Sequence, residues 1–389
     1  MNSFIYDVKT KVYFGDIEAK VLAKEIKNYG EHVFMIYGGQ HVIDDGIYDL
    51  VLEASKIAGF KITEFRKVKP NPRHSDIDEG IKLCKENNCD IVLAIGGGSC
   101  LDSAKAIATG AKLNCPIWDV VSKKVKTNGA LPLIVIPTMA ATGSDMNKTA
   151  VISNLEINDK KSIKSEEQRP SVAFLNPKYT YGVSKYQTAC GTADILSHIL
   201  ETYFSSDECM YMLDTMMEGL VRTVIKYGKV AIDEPTNYEA RANLLWAATW
   251  AINDFIRSDK VTAWAMHPIE HELSAYFDIT HGLGLAIIMP RYLRYIIDEK
   301  SAIRLKNLAV NVYHMDENED KYVLANRFID KLEEYLFVDL GISSKLSECG
   351  VDEALFEKIA SKLVDENGEF KRYRNLNKED IINILRNCQ

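Results

Sequence analysis

Aliphatic and β-branched runs alternate with amphipathic stretches through the first half of the chain. Val33–Tyr37 is a continuous apolar run that stops at Gly38-Gly39, the pattern of a strand buried on both faces. Residues 45–58 repeat apolar positions at helical spacing, Lys61–Phe65 reads as a strand, and 75–87 as a helix opened by Ser75 and Asp76. Ile91–Ile95 is another buried strand that runs into Gly96-Gly97-Gly98. A helix is expected from Ser99 to about Thr109, and Leu133–Ile136 is a further strand stopped by Pro137. After about residue 185 helical spacing takes over, across 185–204, 210–228, 238–256, 260–276, 284–297, 302–314 and 320–336. Strands alternating with helices predict a mostly parallel sheet covered on both faces. The expected fold class is therefore α/β plus all-α. A Rossmann-like, mostly parallel domain is expected over 1–183 and an α-helical domain over 184–389.

Composition sharpens that division. Seven of the ten prolines and fourteen of the twenty-two glycines lie at or before Gly182. The 389 residues are 47% hydrophobic and 26% charged, which excludes a disordered or collagenous chain. The longest apolar runs, such as Leu244–Ile252, fall short of the roughly 18 residues a membrane span needs. A net charge of −8 argues against nucleic-acid or anionic-membrane partners. Met1–Asp7 has neither a basic n-region nor an apolar h-region, so no secretory signal is expected. The eight cysteines show no C-x-x-C pair and read as reduced thiols of a cytoplasmic protein. With neither repeat nor low-complexity linker, the two domains should pack directly, a cleft between them being the default place for a site.

Candidate chemistry gathers in two places. Gly96-Gly97-Gly98 joins a buried strand to a helix whose free N–H groups and positive dipole end could cradle a pyrophosphate. A plain strand–turn–helix corner capped by Ser99 stands beside that reading, since Leu101 breaks the G-x-G-x-x-G/A fingerprint and no G-K-[ST] follows. A second turn, Gly38-Gly39-Gln40, has no carboxylate before Asp44. A ribose 2′-phosphate would meet no adjacent negative charge there, which favours NADP(H) over NAD(H).

The second place is a set of histidines. Of eight, four fall early in the helical half, with Asp194 and His198 four residues apart, His267 and His271 four apart, and His281 at a helix start or turn. Residues four apart share a helix face. A carboxylate with several imidazoles is the donor set of Fe(II), Zn(II) or a similar ion; each histidine taken alone reads equally as a hydrogen-bonded core residue. His32, His41, His74 and His314 have no such company and read as ordinary. Glu270 and Glu272 read as solvated helix residues. Trp246, Trp250, Phe255, Trp264 and Met266 could line an apolar pocket or serve helix packing.

Gly96-Gly97-Gly98-Ser99-x-x-Asp102-x-Ala104-Lys105, the Asp194/His198 pair and His267…His271…His281-Gly282 together resemble the iron-containing (group III) alcohol dehydrogenase family. The likeness is nearest to its NADPH-dependent butanol dehydrogenase and aldehyde reductase branch. It runs from Tyr13-Phe14-Gly15 to the helical end and implies a dehydroquinate synthase-like architecture. It further implies Asp194, His198, His267 and His281 as metal ligands, with His271 beside them on the substrate side as the candidate proton donor or relay. The expected nucleotide contacts are Gly38, Gly39, Gln40, Asn71, Gly97, Gly98, Ser99, Asp102, Thr138, Thr142, Asn147, Lys160 (or its neighbour Lys161) and Tyr179-Thr180. Asn176 departs from the family's usual Asp, and Val183-Ser184 from its Leu-Pro.

The resemblance implies a metal-dependent reductase, its metal Fe2+ or Zn2+. It would move hydride between NADP(H) and a short- to medium-chain alcohol or aldehyde such as butanol and butanal. A homodimer is a family expectation. A non-redox lyase resembling dehydroquinate synthase is the alternative, though the metal-site sequence lacks the basic side chains an anionic substrate needs. A nucleotide sensor without metal is a third.

Overall fold

The structure is a computed structural model that describes residues 3–205, 210–258, 260 and 263–389. It divides into two compact units, Asp7–Val183 and Ser184–Gln389, the second joined by the start of the chain up to Tyr6. The sequence reading assigns those first residues to the other domain. Tyr6 instead packs edge-on against Phe255, ring centroids 5.5 Å apart.

The first unit runs β1 (Lys11–Phe14), α1 (Ala19–Lys27), β2 (His32–Tyr37), α2 (His41–Asp44), α3 (Ile47–Ala58), β3 (Lys61–Phe65), α4 (His74–Glu86), β4 (Ile91–Gly96), α5 (Gly98–Gly110), α6 (Ile117–Val121), β5 (Leu133–Pro137), β6 (Thr149–Asn154), β7 (Asp159–Lys164) and β8 (Val172–Leu175). Six strands form one sheet in the order β1-β8-β5-β4-β2-β3. Every neighbouring pair in it is parallel. The central strands β2, β4 and β5 are buried almost throughout, as their unbroken apolar sequences require. Strands β6 and β7 form a separate antiparallel hairpin.

Boundaries differ where local chemistry decides them. The helix expected over 45–58 is α3, which starts two residues later, at Ile47 behind a left-handed Gly46, and the short α2 precedes it. Helix α4 begins at His74, with Arg73 rather than Ser75 at its cap. The helix after the triple glycine is capped by Gly97 and starts at Gly98, so Ser99 lies inside its first turn instead of capping it.

The second unit carries α7 (Lys185–Tyr203), α8 (Tyr211–Asp233), α9 (Tyr238–Trp250), α10 (Met266–Phe277), α11 (His281–Tyr295), α12 (Glu299–Tyr313), α13 (Lys321–Glu333), α14 (Phe356–Leu363) and α15 (Lys378–Arg386). Helix α7 is capped by Ser184, whose Oγ accepts the amide of Gln187. Helix α10 starts six residues later than expected, and α11 starts three earlier, which makes His281 its first residue. Among the described residues no helix is long and apolar enough to cross a membrane.

Candidate functional site

In the first unit the carboxyl ends of β2, β4 and β5 lie side by side, and each leads into a segment singled out by the sequence. After β2 come Gly38, Gly39 and Gln40; after β4, Gly97, Gly98 and Ser99; after β5, Thr138. This end of an open parallel sheet is where ligands bind in such folds. The first amides of α5 emerge there, and the thirteen-residue helix points its positive end at the loop. Gly98 is required by packing: a Cβ there would come within 2.7 Å of Thr142 Oγ1. Thr138 is buried, its amide bonded to Gly96 O and its hydroxyl 3.1 Å from His41 Nε2. The sequence reading leaves His41 aside as ordinary; the structure sets it among the expected nucleotide contacts.

Two of the expected contacts are also tied into the fold. The Asp102 oxygens accept from Ser144 Oγ (2.6 Å) and the Val151 amide (2.9 Å), tying α5 to β6. The buried amide of Asn147 is taken up internally. Its oxygen accepts from Lys105 Nζ (2.8 Å) and the Thr149 amide (2.9 Å), and its nitrogen donates to Gly143 O. Lys105 is wholly buried and also donates to Ser144 Oγ and Thr149 O. Burial pushes its ammonium down to about 8.

Lys160, on β7, is buried and donates to Asn71 Oδ1 at 3.1 Å, whereas Lys161 is exposed and paired with Asp159. Of the two lysines the sequence leaves open, Lys160 is the one built into the fold. Asn71 takes a left-handed backbone (φ 53°) before Pro72, whose carbonyl accepts the Ser153 amide of β6. Tyr179 packs against the sheet core, and burial raises its phenol. Asn176, the departure from the family pattern, accepts the Lys178 amide and donates to Asp16, itself ion-paired with Lys178.

In the second unit one side of α7 carries Asp194, His198 and Glu201, spaced four and then three residues apart. Helix α10 brings His267 and His271, and α11 opens with His281. Gly282 lets α11 press onto α7, because a Cβ there would collide with the backbone carbonyl of Cys190, one turn before Asp194. The result is a convergence. Asp194 Oδ1 stands 3.6 Å from His198 Nε2, 3.9 Å from His267 Nε2 and 3.7 Å from His281 Nε2. These separations exceed hydrogen-bonding distance, and the buried Nε2 of His267 has no hydrogen-bond partner. Asp194, His267 and His281 each place a ligand atom within 4.8 Å of the others. Burial, with the neighbouring imidazoles, holds His198 well below the ordinary histidine range and therefore neutral. One carboxylate and several imidazoles aimed at a common point can hold a divalent cation.

Two buried carboxylates that the sequence reading misses stand behind these rings. Glu201 accepts the amides of Ala265 and His267, both at 2.7 Å, at the start of α10, and lies 3.1 Å from His267 Nδ1. Glu270, expected to be solvated, is fully buried and bonded to His281 Nδ1. Glu272 is partly buried and ion-paired with Lys362 at 2.9 Å. The signal for Glu201 was present: positions 194, 198 and 201 follow helical spacing. His271 adjoins the cluster, its ring 5.5 Å from His281 and 6.1 Å from His267. The aromatic set divides. Trp246, Trp250 and Phe255 pack on one another, and Met266 is core. Trp264 alone of the five lies against the imidazoles, 4.6 Å from His267 and 5.6 Å from His198.

Comparison with known proteins agrees across both units. Residues 9–177 match the family model described as "Iron-containing alcohol dehydrogenase", and residues 188–388 match "Fe-containing alcohol dehydrogenase family, C-terminal". The chain is 43% identical over 387 residues, 99% of each protein, to NADH-dependent butanol dehydrogenase A of Clostridium acetobutylicum. It is 34% identical over 378 residues, 95% of this chain and 94% of the other, to the NADPH-dependent aldehyde reductase YqhD of Escherichia coli. The solved structure of NADH-dependent butanol dehydrogenase A from Thermotoga maritima superposes with a TM-score of 0.94 at 34% identity, covering 100% of this chain and 99% of that one.

Proposed function

This chain belongs to the iron-containing alcohol dehydrogenase family, and from that premise we propose that it moves hydride between a nicotinamide nucleotide and a short- to medium-chain alcohol or aldehyde, butanol and butanal serving as the type pair. The observation that carries the reading is the approach of three imidazole Nε2 atoms to the single oxygen Asp194 Oδ1. Asp194, His198, His267 and His281 would hold one divalent ion, Fe(II) or Zn(II). The donor set admits either, and the family's name supports Fe(II). A metal so bound supplies Lewis acidity toward the substrate oxygen. The nucleotide supplies or accepts the hydride.

The chain's own residues do the rest. The amides at the start of α5 receive the pyrophosphate. Gly38, Gly39, Gln40, Thr138 and the Lys160–Asn71 pair shape the nucleotide's bed. Trp264 gives the imidazole cluster an apolar wall suited to an aliphatic chain. His271 passes the proton to or from the substrate oxygen.

For the choice of nucleotide the support divides. The Gly38-Gly39-Gln40 turn carries no acid of its own, which favours NADP(H). Gln40 Nε2, however, donates to Asp44 Oδ1 at 3.2 Å, so the first carboxylate after the turn is drawn back to it. A carboxylate beside a ribose favours the free 2′-hydroxyl over a 2′-phosphate. The Clostridium acetobutylicum enzyme is named for NADH and the E. coli reductase for NADPH. We take NADH as the preferred form and NADP(H) as the second reading.

The test is anaerobic absorbance with butanal, following NADH and NADPH oxidation separately on protein loaded with Fe(II), loaded with Zn(II), and metal-free. Metal-dependent oxidation, faster with NADH, is expected. Turnover with neither nucleotide across a short aldehyde series would remove the reductase reading in favour of a non-redox lyase.

A further inference from the structure

Glu270 is a carboxylate with no exposure to solvent, and burying an ionised group is costly unless it is well partnered. Its Oε2 bonds to His281 Nδ1, and its Oε1 accepts from Ser274 Oγ, one turn further along α10. Ser274 Oγ lies 3.3 Å from Ile279 O, so the clamp is itself anchored. With Nδ1 as the donor, His281 keeps its Nε2 lone pair for the point shared with Asp194.

The three imidazoles are not supported alike. His267 has Glu201, but Glu201 also caps α10, so its loss would disturb the helix. His198 Nδ1 is buried without a hydrogen-bond partner. Glu270 lies inside α10 rather than at its start and bonds the side chains of His281 and Ser274, so it can be changed without removing a helix cap.

We propose that Glu270 is a positioning residue that fixes the orientation and tautomer of His281 and thereby sets how tightly the cluster holds its metal ion. The inference rests on the metal reading above. Glu270→Gln is isosteric and can be satisfied: its amide oxygen can accept from His281 Nδ1 while its nitrogen donates to Ser274. What it removes is the charge. The effects on the two states should therefore differ in sign. The metal-loaded protein loses the carboxylate that makes His281 a stronger donor. The metal-free protein is relieved of one of three carboxylates, with Asp194 and Glu201, buried around an empty cluster.

The experiment titrates metal-free wild type, Glu270→Gln, Ser274→Ala and Glu272→Gln with Co(II) and Zn(II). It records the visible spectrum of bound Co(II), competition against a chelator, and the Tm of each metal-free protein. The expected result is one ion per wild-type chain and affinity weakened about 10- to 100-fold in Glu270→Gln. The Co(II) spectrum should shift, and the metal-free Tm should be unchanged or higher. Ser274→Ala should weaken binding less, and Glu272→Gln not at all. If wild type takes up no stoichiometric metal, the metal reading itself fails. If wild type binds and Glu270→Gln binds within twofold of it, the positioning role is overturned. A weaker Glu270→Gln whose metal-free Tm falls by several degrees also overturns it, because the loss is then damage to the fold.

Discussion

The Nε2 of His41 lies 3.1 Å from the hydroxyl of Thr138, joining the segments that leave β2 and β5, the two strands that flank β4 in the sheet. This side-chain link sits at the carboxyl edge where the proposed nucleotide would lie. It ties a residue expected to touch the nucleotide to one that sequence spacing gave no reason to choose. A single hydrogen bond of this kind is worth about 1 kcal/mol. His41→Ala should therefore raise KM for the nucleotide roughly fivefold while leaving kcat within a factor of two. Steady-state kinetics at saturating butanal, with a fluorescence titration of nucleotide binding, would check it. An unchanged KM would mean that the link only packs the turn.

Asp44 offers a direct test of nucleotide choice. Its carboxylate is exposed but held by Gln40 beside the β2 turn. Asp44→Lys replaces a negative charge with a positive one at a distance where a 2′-phosphate would feel it. The ratio of kcat/KM for NADPH to that for NADH should rise tenfold or more, corresponding to about 1.4 kcal/mol. A ratio that stays fixed would place the discriminating charge elsewhere, Arg66 over the Tyr37 ring being the nearby cation.

The long buried strands and the helices of the second unit were legible because their signals are local. Val33–Tyr37 and Ile91–Ile95 are unbroken apolar runs, and α7 and α13 carry clean helical spacing. The hairpin of β6 and β7 was not legible: Asp159–Lys164 is polar at five of its six positions, and what secures the hairpin is Asp102 and Lys105, more than forty residues away. At the site, types and spacings pointed to the Asp194–His281 cluster, since histidines are scarce. Glu270 defeated the same reasoning. A glutamate on a helix is usually solvated, and nothing local to residue 270 says that His281 will stand over it. Asn147 shows the same limit: it lies in a segment rich in expected contacts, and spacing gave no sign that its amide would also be bonded to Lys105, forty-two residues away.

Lys105 makes a pH prediction. Its ammonium is wholly buried, and burial brings it from an ordinary 10.5 down to about 8. Below pH 8 it is charged in both folded and unfolded chains. Between about pH 8 and 10.5 the folded chain sheds a proton that the unfolded chain keeps, so rising pH favours folding through this group. Lys105→Met lacks that response. The difference in unfolding free energy, wild type minus variant, should climb in favour of wild type from pH 8 to pH 10, by at most about 3 kcal/mol. Urea melts at matched pH values measure it, and a flat difference would show that the lysine titrates near its ordinary value.

His271 is the last residue whose role can be separated by experiment, and the separation needs two readouts. It stands one helical turn after His267, its ring 5.5 Å from that of His281, close enough to the cluster to serve a substrate oxygen held there. A proton donor or relay in that position contributes typically 10²–10⁴-fold. Glu270, His271 and His281, however, also place ligand atoms within 4.8 Å of one another, so a His271 variant could lose activity by disturbing the metal instead. Metal content must therefore be measured beside the kinetics. The expected result for His271→Gln is full metal content, KM for butanal within about threefold, kcat lowered about 100-fold, and loss of the ionisation that shapes the wild-type kcat–pH profile. Retained kcat with an unaltered profile would assign the proton to water, and lost metal would make His271 part of the ligand environment rather than the relay.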